Sequence, residues 1–168
     1  MENFIKLIDV NIKRKDLSSY LDVVKIAKDN IFTNPDICIE SCKSLIEGIS
    51  KTLILELDKS KRLEDIENLA LEKLYKTAVE IVDKYNDYFE TDFAKRFSSI
   101  VQIIGEIRNK RGDISHGRPA PKHIESDSYL SKLVYDLTDS FLEYLLKHFF
   151  DIEFNEVQLR YSELEEYN

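Results

Sequence analysis

From Pro35 to Leu57 the apolar residues Cys38, Ile39, Cys42, Leu45, Ile46, Ile49, Leu53 and Ile54 recur at intervals of three and four. That repeat lines one face of a helix with 3.6 residues per turn, and a stripe this broad has to be covered by other elements. The residues around it have little punctuation for strands and tight turns, with four Gly and three Pro in 168 residues. The chain is therefore expected to be all-α. Its length and its 43% hydrophobic content suit a single domain, residues 1–168, with a substantial core.

Four further helices follow from the same spacing. A first is expected from about Asp16 to Lys28, with Leu17, Tyr20, Leu21, Val24 and Ala27 on one side. Asn34-Pro35-Asp36 then starts the helix described above, with Pro in the first turn. A third region runs from Leu63 to about Val82, interrupted near Asn68, with Ile66, Leu69, Leu74, Ala78, Ile81 and Val82 inward. After a turn at Tyr85-Asn86-Asp87-Tyr88, a fourth helix is capped by Thr91 or Asp92 and carries Phe93, Phe97, Ile100, Val101, Ile104 and Ile107. A fifth, from about Glu125 to His148, carries Leu130, Leu133, Val134, Leu137, Phe141, Leu145 and Phe149. Short connections between them predict an antiparallel bundle of about five helices. Residues 1–15 read as a strand, a short helix or a loosely held arm, in sum a short irregular N-terminal arm, and residues 151–168 as an acidic C-terminal tail open to a small hairpin, a short helix or disorder.

A net charge of −8 excludes a surface given over to nonspecific nucleic-acid binding. The charge is unevenly placed, however: Arg108 to His123 carries net +4, and Asp151 to Asn168 carries net −5. Cys38 and Cys42, four apart on an apolar face, are expected as buried free thiols. No ligand spacing of His with Cys or acids predicts a metal site, and no Gly-rich loop with Lys-Ser/Thr predicts triphosphate hydrolysis. The start, Met1-Glu2-Asn3-Phe4, has no leader pattern and no apolar run matches a bilayer, so a cytoplasmic location without membrane contact is expected.

Chemistry concentrates in Arg108-Asn109-Lys110-Arg111-Gly112-Asp113-Ile114-Ser115-His116-Gly117-Arg118. On a helix turning about 100° per residue, Ile104, Arg108 and Arg111 lie within about 40° of one another, so an apolar stripe becomes cationic at its end. Gly112 suits the left-handed residue that terminates a helix, and Pro119 and Pro121 stiffen the loop beyond His116. The arginines also favour the negative end of a helix, a purely structural role. A histidine and a fixed cation are, equally, what RNA cleavage by its own 2′-hydroxyl needs: a proton carrier near neutrality and a charge for the oxygens on phosphorus.

This segment resembles the signature of HEPN domains, and more particularly the C-terminal domain of bacterial abortive-infection proteins. Asn34 to Glu47 is similar to that family's early helix, in which a Lys and a Glu recur before an apolar run, and the likeness covers about Asn34 to Phe149. The resemblance implies a helical bundle that pairs into a homodimer, with the Arg and His motifs facing each other across a cleft. It further implies a metal-independent, cofactor-free endoribonuclease of phage-defence or toxin systems, with RNA as substrate and an antitoxin or other defence component as a further partner. Carried over, Arg108 and His116 are the catalytic pair and Asn109 is the polar residue after the arginine. The family pattern places four to six residues between Arg and His, whereas Arg108 has seven, and Arg111 has four but is followed by Gly112. The functional arginine is therefore open between the two, with Arg108 the better match.

Supporting roles are expected for Arg111 on phosphate, for Asp113 in orienting His116 or capping the turn, and for Glu47 in holding Arg108 or Arg111 from across the bundle. Glu47 also stands four residues before Lys51, the spacing of an exposed helical ion pair. Lys110, Arg118 and Lys122 are the expected RNA-binding cations; His123 and His148 are weaker candidates, the latter for packing or capping. Some HEPN toxins are silenced by nucleotide transfer to a tyrosine two residues after the histidine, a position held here by Arg118. The alternative from another class is a noncatalytic helical module that binds RNA, a nucleotide or a partner protein through the same basic surface.

Overall fold

The helix 35–57 forms as its spacing predicts, and the other helices are arranged around it. A computed structural model describes the backbone of residues 1–87, 89–111 and 126–165, and the side chains of residues 1–87, 89–107 and 126–152. Its helices are α1 (Glu2–Asn11), α2 (Leu21–Asp29, preceded by a single 3-10 turn at Ser18–Tyr20), α3 (Pro35–Leu57), α4 (Leu63–Ile66), α5 (Leu71–Asp83), α6 (Thr91–Arg111) and α7 (Ser128–Glu165). No strand occurs among the described residues.

Cys38, Ile39, Cys42, Leu45, Ile46, Ile49, Leu53 and Ile54 are all at most 1% exposed. Helices α2, α5, α6 and α7 pack around α3 and supply the cover. Both cysteines are buried free thiols. A hydrogen bond with Cys38, and then burial, push the Cys42 thiol well above its usual range.

The direction of each helix follows from its contacts. Ile31 and the end of α2 meet the start of α7 through a Ser131 Oγ hydrogen bond to Ile31 O (2.6 Å), whereas Tyr20, just before α2, reaches Thr52 Oγ1 (2.9 Å); α2 is thus antiparallel to α3. After α3 the chain climbs back through α4, whose Ile66 is buried in the core. The interruption expected near Asn68 is the break between α4 and α5. Helix α5 therefore runs in the same sense as α3, ending where Tyr85 donates to Leu57 O (3.3 Å). Helix α6 returns antiparallel to both, with the Thr91 hydroxyl donating to Asp83 at the end of α5.

Of the three forms open to the N-terminal segment it takes the short helix, residues 2–11, with Phe4 and Ile8 fully buried, and not an irregular arm. Its cap comes from far away in sequence: Asp139 Oδ1 on α7 accepts the Phe4 N–H (3.1 Å). Asn3 adds a bond to Glu143 Oε2 (2.8 Å), and Arg14 donates to Phe150 O (3.0 Å). At the other end, the backbone of the segment expected as an acidic tail continues α7 as helix to Glu165, and neither Gly nor Pro interrupts 128–165. No helix among the described residues is long and apolar enough to cross a membrane.

Two helical glycines meet opposite surroundings. A Cβ on Gly48 would lie 2.6 Å from Tyr20 Cε1, whereas one on Gly105 would lie 3.6 Å from Leu71 Cδ2, an ordinary contact. Gly105→Ala is expected to stabilise the protein by about 0.5–1 kcal/mol through helix propensity alone. Gly48→Ala meets about 1–3 kcal/mol of overpacking and is expected to destabilise. In a Tyr20→Ala background its sign should reverse, as urea melts of the four variants would read directly.

Candidate functional site

Helix α6 carries the arginine cluster. Its inward face is Ala94, Ser98, Val101 and Ile104, all buried, and the same register continues to positions 108 and 111. The backbone of Arg108, Asn109, Lys110 and Arg111 forms the last turn of α6, so the helix reaches the arginine-rich end expected of it. The side chains of these four lie outside the described residues, as do Asp113, His116, Arg118, Lys122 and His123 entirely.

Glu47 is described in full. Its Oε1 accepts from Lys51 Nζ at 2.7 Å and its Oε2 lies 3.6 Å from Lys43 Nζ, both on its own helix. Burial pushes this carboxyl up, but the hydrogen bond and charge of Lys51, with help from Lys43, outweigh it and hold the pKa below the usual range. Glu47 is thus ionised and fixed by its helical neighbours. It also lines a cleft of about 380 Å³ between α3, the start of α5 and α6. Lys43 and Glu47 form one wall, Ala70, Leu71 and Glu72 a second, and Gln102, Gly105 and Glu106 a third. Gly105 precedes Arg108 by three residues, a rise of about 4.5 Å. Glu47 therefore stands in the cleft that borders the last turn of α6.

Glu72 and Gln102 are cleft residues that the sequence did not single out. Each reads as an exposed helical position making a local pair: Glu72 Oε1 accepts from Lys76 (2.7 Å), and Gln102 Nε2 donates to Glu106 (3.0 Å). Only the approach of three helices places them together.

Two residues expected in the core are instead exposed: Phe93 is 60% and Leu133 54% accessible. Helix α6 leans on α3 and α5, and rings bridge its outer edge to α7, Phe97 packing on Phe141 with centroids 4.1 Å apart. Phe93 packs edge-on against Phe97 (4.8 Å), its one ring partner among the described residues. With exposed Ile103 these residues leave apolar surface along the outside of α6 and α7.

His148 has the packing role expected of it. Its Nδ1 is 2.8 Å from Asn86 Nδ2, and its ring lies edge-on to Phe89 (5.1 Å) and Tyr144 (4.7 Å). Tyr144 also accepts the Glu90 N–H through its hydroxyl (2.9 Å), so α7 pins the turn that leads into α6. Among the described residues no three His, Cys, Asp or Glu side chains are grouped to hold a metal ion.

The fold and this helix end together define an all-helical domain with a cationic terminus beside a carboxylate-lined cleft. The model of the HEPN-like domain family (Abi_C) matches residues 19–149, and the chain belongs to that family. The match extends the likeness drawn from Asn34 back across α2. No curated protein matches the chain significantly, and neither does any solved structure.

Burial holds the His148 imidazole below its usual range, against a smaller opposing pull from Asp151. In the unfolded chain this ring takes up its proton near pH ~6.5. Its contribution to stability is therefore complete above about pH 6.5 and lost as pH falls toward the folded value. Urea midpoints measured from pH 7.5 to 5.5 should decline in the parent, with a shallower slope in His148→Gln; equal slopes would remove His148 as the cause.

Proposed function

We propose that the chain is a metal-independent endoribonuclease of a phage-defence or toxin system, acting at a cleft shared by two copies. The observation that carries this reading is that the family match spans residues 19–149 and so includes the whole segment from Arg108 to His116. In this reaction the ribose 2′-hydroxyl loses its proton and attacks phosphorus. The bond to the 5′-oxygen breaks, leaving a 2′,3′-cyclic phosphate and a free 5′-hydroxyl.

His116 serves as general base or general acid, since an imidazole exchanges protons near neutrality. Arg108 neutralises the charge gathering on the phosphoryl oxygens, with Arg111 as a second phosphate contact. Asn109 and Asp113 orient these groups, Glu47 supports the arginines from α3, and Lys110, Arg118 and Lys122 draw RNA in. The uncovered apolar residues Phe93, Ile103 and Leu133 supply a face for a second copy. An antitoxin or another defence component is the further partner, and no metal or cofactor is required.

One observation favours a second reading, a noncatalytic module that binds RNA, a nucleotide or a partner protein. Seven residues separate Arg108 from His116, more than the family pattern. The two readings part in a single assay with single-stranded RNA in EDTA. The parent should cut and leave cyclic phosphate, and His116→Ala should lose about 100-fold or more of that rate while keeping its helicity and sedimentation coefficient. Retention of RNA without cleavage by the parent, or unimpaired cleavage by the variant, would overturn the assignment. Arg108→Ala and Arg111→Ala compared in the same assay identify the functional arginine as the one with the larger loss.

A further inference from the structure

We propose that one face of α7 is a docking site for the amphipathic helix of a partner protein, a site that α1 fills as a detachable ligand from its own chain. The face is defined by its bonds. Asp139 accepts the Phe4 N–H, Glu143 accepts from Asn3, and Phe150 O accepts from Arg14. Positions 139, 143 and 150 lie on one side of α7, and Tyr135, Leu142 and Leu146 share that side, all at most 6% exposed. Helix α1 runs along it in the same sense as α7, its first turn at Asp139 and Glu143 and the residues just beyond its end at Phe150.

The attachment has the form of a bound helix. Met1, Phe4, Ile8 and Asn11, at intervals of three and four, are buried, whereas Lys6, Asp9 and Val10 are exposed. That is the anchor pattern of an amphipathic helix seated in a groove. Helix α7 is the one helix that α1 packs against extensively. A helix held from one side opens at a lower free energy than one enclosed on all sides, as α3 is. The family match begins at residue 19, so α1 is an addition to the matched domain, and the connection that leads to it is exposed at Ile12, Lys13, Arg14 and Asp16.

The face dictates what it takes. Asp139 accepts an N–H from a first helical turn, where every helix has amides without partners. With Glu143 beside it, it places two carboxylates at the positive end of the docked helix and so fixes its direction. Beyond them the seat holds two large apolar residues four apart, Phe4 and Ile8, and then a cation on Phe150 O. A partner helix therefore presents an open first turn, two such anchors and a basic residue after them. The site stands apart from the arginine-rich turn: Tyr144 accepts the Glu90 N–H at the start of α6, and Arg108 lies about 27 Å of helix rise further on. The proposal holds whether or not the chain cuts RNA.

The probe is a synthetic peptide of residues 1–15 with a fluorophore at its C-terminus, titrated into the full chain by anisotropy. In the parent, α1 competes at the ~mM effective concentration of a tethered ligand, so Phe4→Ala, which weakens α1, should bind the peptide at least ~10-fold more tightly. Within the peptide, Ile8→Asp should abolish binding, whereas Val10→Asp, on the exposed side, should change it by less than ~3-fold. Hydrogen exchange of the parent decides the matter should Phe4→Ala not fold: amides of α1 should exchange at least ~100-fold faster than those in the middle of α3. Equal exchange in the two helices, or no peptide binding by a folded Phe4→Ala chain, would overturn the proposal. So would disulfide-linked heterodimers from co-expressed Asn3→Cys and Glu143→Cys chains, because they would assign the face to α1 of a second copy.

Discussion

Burial of α3 is the constraint on which the rest of the structure depends. A 23-residue helix with ten buried positions cannot be covered by one or two neighbours. Four helices are recruited, and each is positioned by the strip of α3 it must cover. The excursion through α4 follows from this need: by climbing back before α5 begins, the chain brings Leu74, Ala78, Val79 and Val82 alongside α3 in the same sense. That return places the start of α5 opposite Lys43 and Glu47, and so forms the cleft. Hydrophobic cover and polar recess thus have one origin.

The parts of the fold that could be read from sequence are those decided within one helix. Pro35 to about Leu57 was legible at both ends, because Pro at one end and a charged connection near Leu57 coincide with a continuous apolar stripe. Helix α1 was legible only as one of three options: Phe4 and Ile8 are too few for a periodic signal, and its cap is an aspartate 135 residues away. Phe93 and Leu133 were misplaced for a related reason, since periodicity reports which face is apolar but not whether anything covers it.

The candidate site divides the same way. Helix α6 was legible as an apolar stripe running toward an arginine-rich end, and its backbone is helical as far as Arg111. Glu47 had two readings, a local ion pair with Lys51 or a hold on Arg108 or Arg111 from across the bundle: the first is formed at 2.7 Å, while the side chains of both arginines lie outside the described residues. Glu72 and Gln102 carried no signal, because a recess between three helices leaves no spacing in any one of them.

The link between Phe4 and Asp139 also orders events in time. A ribosome adds about 5–20 residues per second, so the 135-residue separation keeps α1 without its partner for roughly 7 to 27 s. Throughout that interval Phe4 and Ile8 have no α7 to bury them, while α2 and α3 can already pair. Docking of α1 therefore comes late among these helices, after the arginine-rich turn of α6 has left the ribosome.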